Sequence, residues 1–371
     1  MFRLFEMIGI SCRSICTSKV FFTLCLSFLL VVSVLYGAFS ISHAQMPNRY
    51  WVGSAGGNWS DSANWSESAN SCGVGGGASV PGTSDIAYFV SNCTNSASMN
   101  ATIDVAGIDI ASGYSGTISP SSSVSITAGT SGFVQAGGTF TSTAGTMVIS
   151  GTFNRTGGTF NHNSGTVIFK APIYGGSYNI TPGSSLTFNN LIFDQLSGGY
   201  YYTDTITITG SFTVAGDLTV RNTNTDYDSY TVTGSGSPTI TVSGNLLFPS
   251  TAQTNTVSFG GDYMMGGSTV TINLVGNFTM SDSNVTSYAN VTFNGTSTQT
   301  VTQSAGTVSG GTWTVNKASG NFALGSNAGG SEAFTLTQGT VSTGTYNFSS
   351  AAFIQNTGTT FTGGAGTIDT T

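Results

Sequence analysis

The densest group of oxygen-bearing side chains in the sequence lies in the segment RNTNTDYDSY, residues 221–230. Four of its residues alternate along the chain: Asn222, Asn224, Asp226 and Asp228. In an extended strand such alternation projects side chains from one side. A polar surface loop is the interpretation that we favour. Calcium is held by about six to eight oxygens, so part of a weak calcium site is the alternative. We predict no other cofactor.

Two groups of aromatic residues are possible ligand-binding residues. The first consists of three tryptophans, Trp51, Trp59 and Trp65, and the second of three consecutive tyrosines, Tyr200, Tyr201 and Tyr202. Aromatic planes beside Asn and Asp can stack on sugar rings. The tryptophans can equally cover the open end of a hydrophobic core, which is the interpretation we favour. In a strand Tyr200 and Tyr202 would share one face and Tyr201 the other, so at least one face would be core.

The sequence offers little for catalysis. Carbohydrate chemistry needs paired carboxylates or a metal with a strong base. Beyond residue 44 the bases are few and dispersed: Arg49, Arg155, Lys170, Arg221 and Lys317. His162 stands in an Asn-His-Asn segment typical of a solvated turn. No nucleophile elbow, phosphate loop or zinc pattern occurs. We therefore name no catalytic residue and expect the protein not to be an enzyme.

The amino terminus predicts export. Three basic residues, Arg3, Arg13 and Lys19, precede an apolar run to about residue 40, and Ser42-His43-Ala44 offers a cleavage site. Residues 1–44 are interpreted as a signal peptide, with an uncleaved membrane anchor as the alternative because the run exceeds about 18 residues. Either interpretation places the rest of the chain outside the cell. We predict a secreted or cell-surface protein that touches the membrane only through an uncleaved leader.

Charge and cysteine content fit that location. Past residue 44 the chain holds 14 acidic and 5 basic residues, a net charge near −9 that makes nucleic acid a poor partner. Three of the five cysteines lie in the leader, and Cys72 and Cys93 remain. An even pair in an oxidising compartment predicts a disulfide.

Repeats are the clearest signal of architecture. At a spacing of 20, Phe133 aligns with Phe153, and the segment 137–140 aligns with 157–160, both reading GGTF. The segment Phe334 to Thr340 recurs at a spacing of 19 as Phe353 to Thr359. A second variety repeats a Gly-Asp/Asn-apolar core at Gly216, Gly244 and Gly276. Fixed periods of this length are typical of solenoids.

The predicted fold is all-β, a parallel β-helix (β-solenoid) of about thirteen turns. Each unit has short stretches of alternating apolar and polar residues, which stacking would turn into internal columns. Residues 45–100 are predicted to be a tryptophan-rich capping module and residues 101–371 the solenoid, truncated within a repeat at its carboxyl end. Tandem β-sandwiches are the alternative, although they give no reason for a 20-residue repeat.

Two segments resemble large secreted bacterial β-helix repeat proteins, including adhesin-like surface proteins and autotransporter passengers. One is the segment YWVGSAGGNWSDSANWS with the later DIAYF. The other is residues 299–324, where the motif is carried by Gln299, Trp313, Asn316, Lys317 and Gly320. The resemblance implies a β-helix and a surface location. We expect a structural or adhesive protein whose partners are surface glycans, proteins or its own copies. A carbohydrate-binding module is the alternative, and a carbohydrate-active enzyme is a third hypothesis.

Overall fold

The computed structural model describes residues 48–196, 202–226, 228–251, 253–260 and 269–370. Within these ranges the chain forms 36 strands and one short 3-10 helix, Ser62–Asn64. The predicted leader lies outside the described residues. Among the described helices, none has the length and apolar character needed to cross a bilayer.

The first twelve strands build the amino-terminal end and the first coils. Their bounds are β1 Asn48–Trp51, β2 Gly57–Asn58, β3 Trp65–Ser66, β4 Ile86–Phe89, β5 Ala97–Met99, β6 Ile103–Ile110, β7 Thr117–Pro120, β8 Ile126–Gln135, β9 Thr139–Thr141, β10 Thr146–Ile149, β11 Phe153–Arg155 and β12 Thr159–Asn161. Strands β2, β5, β7, β9 and β12 form one five-stranded sheet. Coil stacking therefore already begins inside the predicted capping module.

The middle strands repeat in groups of three. Their bounds are β13 Thr166–Ala171, β14 Ser177–Thr181, β15 Thr187–Phe188, β16 Asn190–Gln195, β17 Thr203–Ile208, β18 Phe212–Val214, β19 Leu218–Val220, β20 Ser229–Gly234, β21 Thr239–Val242, β22 Leu246–Phe248, β23 Val257–Phe259, β24 Thr271–Leu274, β25 Phe278–Met280, β26 Val285–Ser287 and β27 Asn290–Phe293. From β13 to β24 each strand pairs with the one three places later. Three strands thus make one coil of a three-sided stack.

The last strands continue the stack, and two of them are 12 or 13 residues long. Their bounds are β28 Gln299–Gln303, β29 Thr307–Val308, β30 Thr312–Leu324, β31 Ala328–Gly329, β32 Ala333–Gly344, β33 Phe348–Ser350, β34 Ala352–Gln355, β35 Thr360–Gly363 and β36 Ile368–Thr370. Strands β31, β33 and β36 form a separate three-stranded sheet. Strand β30 turns a corner within its length, because its first part pairs with β27 and its last part with β28.

Strand pairing is parallel throughout the described chain, except that β1 pairs antiparallel with β3. A parallel stack in which each strand pairs with its counterpart one coil later is a β-solenoid, here of about 12 turns. The predicted fold is confirmed. The alternative of tandem β-sandwiches is wrong, because sandwich sheets are antiparallel.

The 20-residue repeat is confirmed at the level of side chains. Phe133 pairs in register with Phe153, and their rings stack at a centroid distance of 5.3 Å. Phe140 pairs with Phe160, with ring centroids 5.8 Å apart. All four side chains are buried. The period therefore places like rings on one another in successive coils, where they form a buried column.

The glycine repeat of the middle coils is confirmed as a stack of tight turns. The Gly244 amide donates to the Gly216 carbonyl at 2.9 Å, and the Gly276 amide donates to the Gly244 carbonyl at 3.0 Å. A β-carbon on Gly276 would lie 2.1 Å from the Gly244 carbonyl oxygen. Glycine is required there because the backbones of successive coils touch.

Side-chain amides and carboxylates join these turns along the outside. The Asn245 amide donates to Oδ1 of Asp217 at 2.7 Å, and the Asn277 amide to Oδ1 of Asn245 at 2.9 Å. The Thr300 amide continues the series to Oδ1 of Asn277 at 2.8 Å. The Asp/Asn that follows each repeated glycine is thus a ladder residue that bonds to the next coil.

At the carboxyl end one detail of the repeat is wrong. Phe334 pairs with Phe353 as predicted, and their rings stack at 5.6 Å. Thr340, however, pairs with Thr360 rather than with Thr359. The spacing grows from 19 to 20 because the turn around Gly358, whose φ is 82°, absorbs one extra residue.

The predicted disulfide is present. Cys72 and Cys93 are joined with an S–S distance of 2.01 Å, and Cys93 is buried against the core. The bridge ties the irregular segment after β3 to the loop that follows β4. It fastens the amino-terminal end to the first coil.

Candidate functional site

The loops that join the first and second strands of successive coils lie over one another along one corner of the solenoid. We call their described parts the loop ridge and define it as residues 172–176, 196, 202, 221–226, 228, 249–251, 253–256 and 281–284. The predicted calcium ligands and Tyr202 fall in this ridge, whereas Tyr200 and Tyr201 lie outside the described residues.

In two loops of the ridge, a backbone amide donates a hydrogen bond to a buried carboxylate of the following coil. The Gly176 amide donates to Oδ1 of Asp204 at 2.9 Å, and the Tyr202 amide donates to Oδ1 of Asp228 at 3.1 Å. Both acids have no exposed surface. The second carboxylate oxygen of Asp228 has no hydrogen-bond partner among the described residues. Burying a carboxylate costs free energy, and here the two buried acids fix the position of the loops through these hydrogen bonds.

The next loops are held in the same way by asparagines. Nδ2 of Asn255 donates to the Asn224 carbonyl at 2.9 Å, and Nδ2 of Asn284 donates to the Gln253 carbonyl at 2.9 Å. Each anchor again lies one coil further along. Polar side chains at this corner therefore act as a continuous set of loop anchors.

Inside the corner the anchors are linked by amides. Nε2 of Gln195 donates to Oδ2 of Asp204 at 2.7 Å, and its Oε1 accepts from Nδ2 of Asn222 at 2.9 Å. Burial, opposed by these hydrogen bonds and reinforced by the charge of Asp228, raises the pKa of Asp204. No lysine or arginine donates to Asp204 in the described part of the chain.

The four predicted calcium ligands do not form a site in the ridge. Asn222, Asn224 and Asp228 share one side, but that side is the interior. The oxygen Oδ1 of Asn222 accepts from the Asn224 amide at 2.9 Å, and that of Asn224 accepts from the Asp226 amide at 2.8 Å. No group of three His, Cys, Asp or Glu residues that could hold a metal ion occurs in the ranges described. The side-chain oxygens of Asn222 and Asn224 instead bond within the loop.

Two of the five dispersed bases meet on the outer face below the ridge. Lys170 Nζ lies 3.1 Å and Arg221 Nε 3.2 Å from Oδ2 of Asp194, which is fully buried beneath them. The Thr223 amide also donates to this carboxylate, at 2.9 Å. Burial alone would raise the pKa of Asp194, but the amides of Thr223 and Gln195 and the Lys170 ammonium outweigh it and lower that pKa. The carboxylate is a fixed anion rather than a proton acceptor.

The remaining bases make separate contacts. Arg49 donates to Ser79 at 3.0 Å, and Arg155 donates to the carbonyls of Gly158 and Ser184 at 2.7 and 2.6 Å. His162 accepts from the Ser164 amide through Nδ1 at 3.0 Å, within a turn. The structure thus brings together Lys170 and Arg221 alone of these groups, contrary to the expectation that all five bases are dispersed.

Two tyrosines of the ridge are exposed and in contact. Tyr174 is 63% and Tyr202 49% exposed, and their ring centroids are 6.1 Å apart in an edge-to-face arrangement. Tyr202 belongs to the predicted triplet, whereas Tyr200 and Tyr201 lie outside the described residues. Tyr174 was missed by sequence reasoning, because only stacking of the coils brings it to Tyr202.

The three predicted tryptophans have no face to offer a ligand. Trp51, Trp59 and Trp65 are at most 1% exposed, and their rings pack edge to face at 5.3 and 4.7 Å. Trp51 Nε1 donates to the Asn95 carbonyl at 2.9 Å. Phe89 of the first coil contacts all three rings. The three tryptophans cover the end of the core, which is the interpretation that we favour.

The residues of the 299–324 motif are also structural. Gln299, Trp313 and Lys317 are buried. Lys317 Nζ donates to Oε1 of Gln299 at 2.8 Å and to the Ser297 and Gly295 carbonyls. Burial lowers the pKa of Lys317. The motif joins two coils through an interior ammonium.

Sequence reasoning also missed the buried acids, although a signal was present. Asp204 alternates with Ile206 and Ile208, and Glu332 alternates with Phe334 and Leu336, so the pattern already directs both acids inward.

Comparison with protein-family models, with curated proteins and with solved structures finds no match for this chain.

Proposed function

We propose that the chain is an exported structural and adhesive surface protein, secreted or held at the cell surface. The leader-like sequence of residues 1–44 supports export, and the solenoid fold supports a rod that displays repeated side chains. Its partners in this proposal are surface glycans, surface proteins or further copies of itself. The acidic balance argues against nucleic acid.

The observation that carries the proposal is the difference between the inward and outward faces of each strand. Inward residues form the columns of the core, whereas outward residues are mostly Thr, Ser and Asn, as in the strand Thr203–Ile208. Rows of hydroxyls and amides along a rod give many weak, repeated contacts. Such an open surface suits adhesion, whereas catalysis on a small molecule uses a closed pocket.

A carbohydrate-binding protein is the second candidate, and a different region now favours it. The tryptophan-rich end gives it no support, because the three rings are buried. The exposed pair Tyr174 and Tyr202 does support it.

Export is tested by producing the full chain with a carboxyl-terminal tag in a bacterial host. We expect protease added to intact cells to digest the chain, and the mature protein to begin at Gln45 when the leader is cleaved. A matched version without residues 1–44 should remain protected. Equal protection of both versions would rule out the proposed location. Gain of adhesion to surfaces by the producing cells then tests the adhesive role.

A further inference from the structure

One face of the solenoid carries a column of outward threonines that continues from coil to coil. The face consists of strands β18, β21, β24 and β27 and of the first parts of β30 and β32, and we call it the threonine face. Its strands pair in parallel register without a bulge across these positions. The central column contains, in order along the axis, Thr213, Thr241, Asn273, Thr292, Thr314 and Thr335.

A second column lies beside the first, two residues earlier on each strand. It contains Thr239, Thr271, Asn290, Thr312 and Ala333. Eight of these eleven positions are threonine and none is charged, so the face presents a two-column array of β-branched hydroxyl side chains. All eleven side chains are partly exposed.

The array is held from within. The residues between the two columns point inward, and Ile240, Ile272 and Val291 among them are fully buried. Threonine itself has few χ1 rotamers, so its methyl and hydroxyl groups keep defined positions. No hydrogen bond in the described part of the chain uses a threonine hydroxyl of the central column. The hydroxyls are therefore available to a ligand that lies flat on the face.

The spacing of the array matches the lattice of ice. Successive coils are about 4.8 Å apart, and residues two apart on a strand are separated by about 6.6 Å. Water molecules in ice hydrogen-bond tetrahedrally at about 2.75 Å, which puts second neighbours about 4.5 Å apart and makes the repeat along the hexagonal axis about 7.3 Å. The two pairs of distances agree to within about a tenth.

The chemistry of the face also suits ice. A charged group against an ice surface loses its hydration, which is costly, and the outward positions of the threonine face hold no charged residue. Protein interfaces usually have aromatic residues at their centre, and these positions hold none. On the neighbouring face, the corresponding outward column contains Thr219, Leu247 and Thr279, so a leucine interrupts the threonines there.

We propose that the threonine face binds ice, with its methyl and hydroxyl groups ordering the water molecules of the outermost crystal layer. The inference goes beyond the proposed adhesive role. It does not depend on export, because it concerns a face of the folded chain.

The test is thermal hysteresis, the gap between the melting and freezing temperatures of an ice crystal, measured in a solution of the full chain. We expect a measurable gap and faceted crystals. Thr292→Lys should reduce the gap by more than about half, because the ammonium group must lose its hydration against ice. Thr279→Lys is the matched control and should keep the gap, because Thr279 is also a partly exposed strand threonine but lies on the neighbouring face.

Thermal melting of both variants separates ice binding from folding, and we expect both to melt close to the native protein. A native chain that gives neither hysteresis nor faceted crystals would overturn the proposal, and so would equal losses of hysteresis in the two variants. Binding to crystalline cellulose or dimer formation that Thr292→Lys abolishes, without hysteresis in the native chain, would assign the face to a polysaccharide or a second copy instead. Hysteresis from a chain that stays inside the host cell would refute the proposed surface role and leave the ice assignment standing.

Discussion

The coils around residues 133–169 and those around residues 190–260 share one backbone plan but fill their interiors differently. In the first group phenylalanines stack on one another, as Phe133 does on Phe153. In the second group one interior corner is filled by polar side chains, with Asp204 and Asp228 buried beside apolar columns. The first arrangement stabilises the stack wherever it occurs. The second contributes less to stability but fixes the loops above it.

The comparison teaches that a buried acid in this solenoid is tolerated when it anchors a backbone amide. Asp194 accepts hydrogen bonds from several donors, and Asp204 accepts from Gly176 and Gln195. Glu332 is the contrasting case, because no described side chain donates to its buried carboxyl group, and burial outweighs the nearby backbone amides of Glu332 and Gly330. Four predictions test the difference between the apolar and the polar interior.

Glu332→Gln should have the largest effect, and only at high pH. Burial raises the pKa of Glu332 from 4.5 to about 8, so the folded chain keeps this side chain protonated while the unfolded chain ionises it. The native protein should therefore lose stability as the pH rises from about 4.5 to 8, by at most about 5 kcal/mol. Urea unfolding at pH 4 and pH 9 should show that Gln removes this loss. An equal pH dependence in both proteins would contradict the burial of the carboxylate.

Phe153→Ala tests the apolar side of the comparison. Phe153 is fully buried and touches the rings of Phe133, Phe160, Phe169 and Phe188. We expect a loss of about 4 kcal/mol in the free energy of unfolding, from lost transfer energy and the cavity left behind. Asn154→Ala, on the outward side of the same strand, should change it by less than about 0.5 kcal/mol. Similar losses in both variants would show that the column is not the source of stability.

Asp194→Asn tests the charged group below the ridge. The carboxylate pairs with Lys170 and Arg221, so its removal leaves two cations without their anion and should cost about 3 kcal/mol at pH 7. Because the pKa of Asp194 is lowered below 3.8, its contribution should persist above that pH and vanish as the pH falls through the folded-state value. Thermal melting at pH 7 and pH 2 should show the gap between variant and native protein closing in acid.

Asp228→Asn should have the smallest effect. Asn keeps the oxygen that accepts from the Tyr202 amide and removes the charge beside Asp204. We expect a change of less than about 1 kcal/mol and a pKa of Asp204 closer to its ordinary 3.8. Carboxyl titration by NMR follows the second effect. A loss as large as that of Asp194→Asn would mean that the charge of Asp228, rather than its hydrogen bond, holds the loop.

Much of the fold was predictable because the same residue types recur at a nearly fixed spacing along the sequence. Phe133 and Phe153 predicted each other's position, and Gly216, Gly244 and Gly276 predicted the stacked turns. The disulfide followed from the two cysteines left after the leader. The slip from Thr359 to Thr360 did not follow, since a turn can absorb one residue without a change of composition.

The candidate site was predictable only in part. The segment 221–230 and Tyr202 were singled out, but as a calcium loop and a strand rather than as parts of one ridge. Tyr174, Asp194 and Asp204 are separated from each other by 10 to 30 residues and carry no shared motif. Their relation depends on where each coil ends, and coil length in this region varies, with Leu191, Leu218 and Leu246 as successive partners.

The sequence by itself determined the stacked parallel architecture, because apolar side chains of one type that recur at a fixed period form one buried column when the repeats stack in register. Which loops meet, which acids turn inward and which rings remain exposed were decided by the tertiary structure. Those outcomes depend on register between coils of unequal length, and register is a property of the whole stack. Tyr174 and Tyr202 come into contact across two coils for this reason.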